Sequence, residues 1–385
     1  MKKIFAGILF LCVIAFIIFA IGNFSTQSTA QEKIYVAVEG DARIAVINAS
    51  NLKIIKEIDL SVSHEGGLLK YYPHNIQVAP DGTSVWVTAN SGMHEGHSFL
   101  AIPAAQAHGE EERGGDDADQ LIVINPQTEA IVARIPIAKG IHLAHVVIDP
   151  NGEYAYATAQ IESTLYKINA HTYEIESEFQ FAKESEPHGL RMSPDGALLY
   201  VAFLKGKALG ILDTKFQKLK KVPLDGSAVQ AGITPNGEVA MVSLYDTKKI
   251  ALYKVNTGVV KYIQLPDGAR GPVQMYATPD SAYVYIADQG YYFDQPENNK
   301  VYKVDIRNLS LGMKIETAAP VEIIAGRAPH GVVVSPDGKY TYVANLLSGD
   351  VSVIDAVSDT EIAKIPVGKE PNGISIWSKT QGGTP

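Results

Sequence analysis

The stretch "APHGVVVSPDG" at residues 328–338 has two near copies, "YPHNIQVAPDG" at 72–82 and "EPHGLRMSPDG" at 186–196. Each copy ends in a Pro-Asp-Gly turn, and the same turn or a degenerate form of it recurs along the chain at Pro80, Pro150, Pro194, Pro235, Pro279 and Pro336. The shortest spacings between these prolines are 41 to 44 residues, and the longer ones contain insertions. A phrase that recurs at such a period indicates a repeat architecture.

Apolar and polar residues alternate around each turn, as in "GVVVSPDGKYTYVAN" at 331–345. Alternation broken by Asp-Gly or Asn-Gly turns is typical of antiparallel strands joined by hairpins, and each repeat has room for four strands. One such unit cannot bury both faces of its sheet, so the units must stack, and radial stacking gives a β-propeller. The sequence therefore predicts an all-β propeller.

The two ends of the chain each supply part of one further blade. Residues 32–60 contain three strands with no innermost strand before them, and residues 370–378 contain an innermost strand with no blade after it. Pairing 372–378 with the strand near 34–38 completes this blade and closes the ring without a free sheet edge. We predict seven four-stranded antiparallel blades in a single domain over residues 31–380, with a disordered tail at 381–385.

One stretch also carries a family resemblance. "GKYTYVANLLSGDVSVIDAVSDTEIAKIPVGKEPNGI" at 338–374 resembles the YVTN-repeat propellers, whose repeat runs Pro-x-Gly, Ser-Pro-Asp-Gly, Tyr-Val-x-Asn, Val-x-Val-Ile-Asp and a strand ending Ile-x-Val-Gly. The likeness covers nearly all of residues 32–378 and is looser in the blades near Val229 and Val273. It implies the propeller fold and leaves the function open, because this family includes surface-layer-like and periplasmic proteins of diverse role.

The first 30 residues have the layout of an export signal. Two lysines precede an apolar run from Ile4 to Ile21, and a small polar stretch then leads to Ala30. We expect either a signal peptide cleaved after Ala30 or an N-terminal membrane anchor, because the run is long enough to span a bilayer. Both alternatives place the propeller outside the cytoplasm, in the periplasm or at the cell surface.

Charge and cysteine content exclude several classes of function. The formal net charge is −9, and the chain contains no basic block. We therefore expect no nucleic-acid partner, and membrane contact only through the N-terminal segment. The single cysteine, Cys12, lies in the apolar run, so the mature protein has neither disulfides nor cysteine-ligated metals.

The histidines are concentrated on one side of the predicted disc. In a propeller the innermost strands begin on one face, here called the top face, where the loops between blades also emerge. Nine of the ten histidines are assigned to this face, and only His171 is not. Three of them begin innermost strands, namely His74, His188 and His330, and His145 lies one residue further along its strand.

Two interpretations of these histidines stay open. In the first, Pro-His-Gly is a structural turn whose imidazole bonds the backbone of a neighbouring blade. In the second, imidazoles from several blades converge at the channel mouth and bind copper, zinc or iron, which neutral nitrogen ligands suit. The predicted metal ligands are then His74, His188 and His330 with His145 as a fourth, and metal binding should weaken as the pH falls through about 6.5.

An insertion at 91–119 lies between the second and third strands of its blade, also on the top face. "MHEGHS" at 93–98 places His94 and His97 close together, and a dense acidic run follows. The insertion is interpreted either as a solvated, partly disordered loop or as a flap that adds His94 and His97 to the metal site.

Three classes of function remain. The first is a binding or scaffold propeller that presents its top face to a partner protein, polymer or small ligand. The others use the top-face histidines in a metal-dependent redox enzyme or in a metal-dependent hydrolase or lyase. The sequence contains no recognisable catalytic triad, haem-attachment, phosphate-loop or dinucleotide motif. We favour the binding protein with a histidine metal site and expect no other cofactor.

Overall fold

The repeats fold into seven four-stranded antiparallel sheets that form the blades of a ring. The computed structural model describes residues 32–64, 67–92, 115, 117–292, 294–307 and 319–379. Within these ranges the chain forms strands and one short 3₁₀ helix, Glu39–Asp41, and contains no α-helix. None of the described residues belongs to a helix that could span a bilayer. The predicted all-β, seven-bladed architecture is confirmed.

The strands follow one another in chain order, blade by blade. They are β1 (Glu32–Val38), β2 (Arg43–Asn48) and β3 (Lys53–Asp59); a separate hairpin of β4 (Val62–His64) and β5 (Gly67–Leu69); β6 (Tyr71–Val78), β7 (Val85–Ser91), β8 (Asp119–Asn125) and β9 (Ala130–Ala138); β10 (Leu143–Ile148), β11 (Tyr154–Ala159), β12 (Thr164–Asn169) and β13 (Ile175–Gln180); β14 (Pro187–Met192), β15 (Leu198–Phe203), β16 (Ala208–Asp213) and β17 (Leu219–Pro223); β18 (Ala228–Ile233), β19 (Val239–Leu244), β20 (Lys249–Lys254) and β21 (Val260–Gln264); β22 (Pro272–Ala277), β23 (Tyr283–Asp288), β24 (Lys300–Asp305) and β25 (Val321–Ile324); β26 (Pro329–Val334), β27 (Tyr340–Asn345), β28 (Asp350–Asp355) and β29 (Thr360–Pro366); and β30 (Pro371–Ser378).

The last strand completes the first blade. β30 pairs antiparallel with β1 in the sheet order β3-β2-β1-β30, with Glu32 opposite Ser378 and Val36 opposite Ile374. Trp377 is buried, and its indole N–H donates a 2.8 Å hydrogen bond to Gly82 O in the next blade. The N- and C-terminal strands therefore close the ring as the sequence predicts.

The recurring Pro-Asp-Gly turn, or its degenerate form, connects the innermost strand to the second strand in six of the seven blades; the first blade is completed by β30 and has no such turn. In the copy after β14, Asp195 Oδ1 accepts hydrogen bonds from Ser193 Oγ at 2.5 Å and from Ala197 N at 3.1 Å. Gly196 has a φ of +71°, a left-handed conformation that glycine adopts without steric cost. The phrase recurs because these six blades need the same tight turn at the same place.

The innermost strands surround a central channel. They are β6, β10, β14, β18, β22, β26 and β30, and each contacts the next around the ring. Between blades, apolar side chains pack face to face; Val36 of the first blade, for example, shares a buried cluster with Tyr342 and Val353 of the last. The ring thus brings the seven innermost strands, which begin on the same face, close to one another.

Candidate metal centre

A β-bulge near the beginning of the innermost strands positions the histidines. In β14, Pro187 pairs with Phe203 and Leu190 pairs with Val201, so that His188 lies within the irregularity. A bulge of this kind redirects the side chain that it carries. The four innermost-strand histidines His74, His145, His188 and His330 lie at such positions and are at most 2% exposed.

The glycine of Pro-His-Gly has a packing role of its own. A Cβ at Gly331 would lie 2.2 Å from Asn372 O, and a Cβ at Gly189 would lie 2.4 Å from Gln230 Cα. These glycines allow the innermost strands of adjoining blades to approach closely. The turn does not require histidine, however, because β30 has Asn372 at the same place between proline and glycine.

Three histidines form the tightest cluster. The ligand nitrogens of His74, His142 and His188 lie within 4.8 Å of one another. The ring centroid of His74 lies 5.1 Å from that of His142 and 5.6 Å from that of His188. These residues come from three consecutive blades, so the channel mouth brings together imidazoles that are distant in sequence, with His74 and His188 more than 100 residues apart.

The other two described candidates lie at the edge of this cluster. The ring centroid of His145 is 5.0 Å from that of His188 and 6.3 Å from that of His74. The ring centroid of His330 is 6.4 Å from that of His74, and its Nδ1 lies 3.0 Å from Gln289 Oε1. His94 and His97 lie outside the described residues, as do residues 1–30, the tail at 381–385 and most of the insertion at 91–119.

His142 is a member of the cluster that was not among the predicted ligands. It lies in the loop leading into β10, where Asp119 Oδ2 accepts a 2.9 Å hydrogen bond from its backbone N–H. Its φ of +53° is shared by Ala328 and Glu370 just before other innermost strands, so this conformation belongs to the architecture. Burial raises the pKa of Asp119 to about 6. The sequence signal was the spacing of His142 three residues before His145.

The hydrogen-bond partner of His188 determines which of its ring nitrogens can bind a metal. His188 Nδ1 lies 2.9 Å from Val229 O, and because a carbonyl only accepts, Nδ1 carries the proton in the neutral ring. The lone pair is then on Nε2. A histidine ligand of a metal usually donates its other ring N–H to a carbonyl or a carboxylate in this way.

His74 has a buried carboxylate beside it. Glu39 Oε2 lies 3.5 Å from His74 Nδ1, and Asn372 Nδ2 donates a 2.5 Å hydrogen bond to the same oxygen. Glu39 is 7% exposed. Sequence reasoning missed this residue, because Glu39 lies in the short 3₁₀ helix of the first blade and the ring closure alone brings it to β6.

Desolvation keeps three of these imidazoles neutral: His145 and His188 are buried, and His142 is partly exposed. Desolvation, reinforced by the neighbouring His74, lowers the pKa of His142 to about 3. Desolvation and adjacent histidines hold the pKa of His145 and of His188 well below the usual value. Neutral imidazole is the form that binds a metal, so these groups are competent ligands at neutral pH, and loss of metal is expected at a lower pH than 6.5.

His145 also has unsatisfied polar atoms. It is 0% exposed, and neither of its ring nitrogens has a hydrogen-bond partner among the described residues. A buried polar atom without a partner is costly and uncommon in a folded protein. A polar group or ion bound next to His145 would satisfy these atoms.

Comparisons with known proteins agree with the architecture. The profile of the family described as "Lactonase, 7-bladed beta-propeller" matches residues 165–367, slightly more than half of the chain. The chain therefore belongs to this seven-bladed lactonase family. A search of curated protein sequences gives no significant match.

Solved structures with the same fold differ in the chemistry that their names describe. Hydrazine synthase of Kuenenia stuttgartiensis aligns with a TM-score of 0.63 and 17% identity over 84% of this chain and 92% of its own. Virginiamycin B lyase from Staphylococcus aureus aligns with a TM-score of 0.60 and 14% identity over 80% and 90%. Dihydro-heme d1 dehydrogenase NirN, in complex with DHE, aligns with a TM-score of 0.55 and 15% identity over 89% and 74%. At these identities the likeness establishes the fold alone.

Proposed function

We propose that this member of the seven-bladed lactonase family is an exported binding protein that holds one transition-metal ion at the top-face mouth of its channel. His74, His142 and His188 are the ligands. The observation that supports this most directly is the convergence of their ligand nitrogens within 4.8 Å of one another. The ion is copper, zinc or iron, for which neutral imidazole is a suitable ligand.

The cluster needs only small adjustments to bind such an ion. With metal–nitrogen bonds of about 2.0–2.1 Å, ligand nitrogens in a tetrahedral site lie roughly 3.3 Å apart. Side-chain rotations that bring the nitrogens about 1.5 Å closer together would complete the geometry. His145 would be a fourth ligand, since its ring nitrogens have no hydrogen-bond partner among the described residues. The Glu39 carboxylate would offset part of the charge of the ion.

The remaining parts of the proposal concern the location and the partner of the protein. Residues 1–30 export the propeller to the periplasm or the cell surface, as a cleaved signal or as an anchor, and the propeller is of the YVTN-repeat kind. The insertion at 91–119 acts as a flap that brings His94 and His97 to the mouth. The top face then presents the metal to a partner protein, polymer or small molecule.

Metal content of purified protein and of single-histidine variants tests the proposal. After mild dialysis the wild type should contain about one copper, zinc or iron per chain, and His74→Ala, His142→Ala and His188→Ala should each lose most of it. His330→Ala should lose less, because its ring centroid lies 6.4 Å from that of His74, outside the tightest cluster. His171→Ala is the matched control, since His171 is exposed and distant from the cluster. A wild type without metal, or losses equal to that of the control, would refute the proposal.

A metal-dependent hydrolase is the second candidate, and the partial exposure of His142 favours it. In this candidate His145 is not a ligand, and the three ligands His74, His142 and His188 leave the fourth position of a tetrahedral site open for water. A metal lowers the pKa of bound water towards 7 and so generates a nucleophile that could open a lactone, the substrate class that the family description names. Hydrolysis of γ-butyrolactone by metal-loaded wild type, abolished by a chelator, would support this candidate. Equal rates with and without metal would exclude it.

A further inference from the structure

The central channel has a cavity at the end opposite the histidines. Its volume is about 290 Å³, and it lies among the last residues of the innermost strands and the turns that follow them. Exposed prolines form its rim, namely Pro80, Pro150, Pro194 and Pro235. Since the rim is exposed, the cavity opens to solvent on the face opposite the top face.

One cationic side chain lines this cavity. Arg191 follows His188 by three residues on β14, and its Nη1 donates a 3.0 Å hydrogen bond to Leu190 O. Within the part of the chain that the structure describes, no carboxylate forms an ion pair with Arg191, although the protein as a whole is acidic. A guanidinium remains protonated even when burial lowers its pKa, so this wall of the cavity carries a positive charge.

The rest of the lining is mainly apolar. Val147 and Ile148 of β10, together with Met192 of β14 and Met275 of β22, contribute hydrocarbon and thioether surface. Tyr276 of β22 and Gln77 of β6 add polar groups to the lining. An apolar pocket with one charged group and few polar ones is the usual composition of a small-molecule site.

We propose that this cavity binds a small organic monocarboxylate, whose carboxylate pairs with Arg191 and whose apolar body packs on the methionines. A guanidinium left unpaired in a confined site is unfavourable, and a carboxylate satisfies it with two parallel hydrogen bonds. The volume equals that of about ten water molecules at roughly 30 Å³ each, which sets the ligand size near ten non-hydrogen atoms. The site is separate from the histidine cluster, and its occupation does not require a metal.

Calorimetric titration with benzoate tests the proposal on the full chain after treatment with a chelator, which removes any metal. Wild type should bind benzoate at millimolar concentrations or below, and benzyl alcohol, which lacks the charge, should bind at least tenfold more weakly. Arg191→Met should weaken benzoate binding at least tenfold. Arg327→Met, which removes an exposed guanidinium paired with Glu297, should leave the affinity unchanged.

Arg191→Lys keeps the test decisive if the methionine variant fails to fold. It retains the charge but loses the paired hydrogen bonds, so its affinity for benzoate should fall between those of wild type and Arg191→Met. Absence of benzoate binding to the folded wild type would overturn the proposal. Equal affinities of wild type and either Arg191 variant would do the same.

Discussion

Glu39 places a buried carboxylate next to His74, and its charge bears on any cation that the histidines hold. Its Oε2 lies 3.5 Å from His74 Nδ1 and accepts a 2.5 Å hydrogen bond from Asn372. Asn372 Nδ2, which only donates, also lies 3.1 Å from His74 Nδ1, so Glu39 acts on the site through its charge rather than by accepting a proton from His74. In the proposed metal site, the negative charge of Glu39 would favour a bound cation without contacting it.

Glu39→Gln should weaken metal binding about 10- to 100-fold, because it removes the charge behind His74 while keeping the shape of the side chain. Competition with a chromophoric chelator measures the affinity. Glu57→Gln, which neutralises an exposed carboxylate of the same blade, serves as the control. An affinity of Glu39→Gln equal to that of the control would show that Glu39 has no such effect.

The sequence predicted the residues of the candidate site only in part. His74, His145, His188 and His330 could be placed on the top face, because a repeated phrase assigns each to a known position in its blade. His142 was placed on the top face but not among the ligands, and Glu39 was not identified. Both lie outside the repeated phrase, and only the ring geometry and the local 3₁₀ helix decide which side chains reach the mouth.

Strand β30 joins the two ends of the chain, and the ring depends on it. It pairs with β1 and packs against the following blade through Trp377, whose N–H bonds Gly82 O. Ring closure was predictable because the missing strand at one end matched the extra strand at the other. Without β30, the first blade would have three strands and β1 would be left with an unpaired edge.

Truncation after Gly368 should lower the stability of the propeller clearly, by more than about 3 kcal/mol, since the loss of buried Trp377 alone is expected to cost that much. Thermal unfolding followed by circular dichroism measures the change. Truncation after Lys379 is the matched control, because it leaves every described strand intact. Coincident melting curves for the two truncations would contradict closure by β30.

The channel has neutral, buried imidazoles, those of His145 and His188, at its top-face end, and the Arg191 guanidinium lines the cavity at the opposite end. The groups that face His145 are His74, His188, His330 and Arg191, and all of them disfavour its protonation. In the unfolded chain the same imidazoles titrate near 6.5. Below that pH the unfolded state binds more protons than the folded state, so the folded state loses stability as the pH falls.

Metal-free protein should therefore be less stable at pH 5.5 than at pH 7.5 in urea unfolding. Each of His142, His145 and His188 contributes at most about 1.4 kcal/mol per pH unit below 6.5. Asp119, whose pKa is raised to about 6, acts in the opposite direction. His145→Leu should reduce the difference between the two pH values, because it removes one of the three imidazoles. A difference as large as that of the wild type would show that His145 is not held neutral by the fold.

We propose that imidazoles from three consecutive blades bind one metal ion. X-ray absorption spectroscopy at the metal edge tests this most directly. In zinc- or copper-loaded protein we predict nitrogen scatterers at about 2.0 Å with the outer-shell pattern of at least three imidazoles. The imidazole pattern should decrease by one ligand in His142→Ala, the variant that distinguishes this cluster from the set predicted by sequence. A shell of oxygen scatterers without imidazole, or a spectrum unchanged in His142→Ala, would contradict the account.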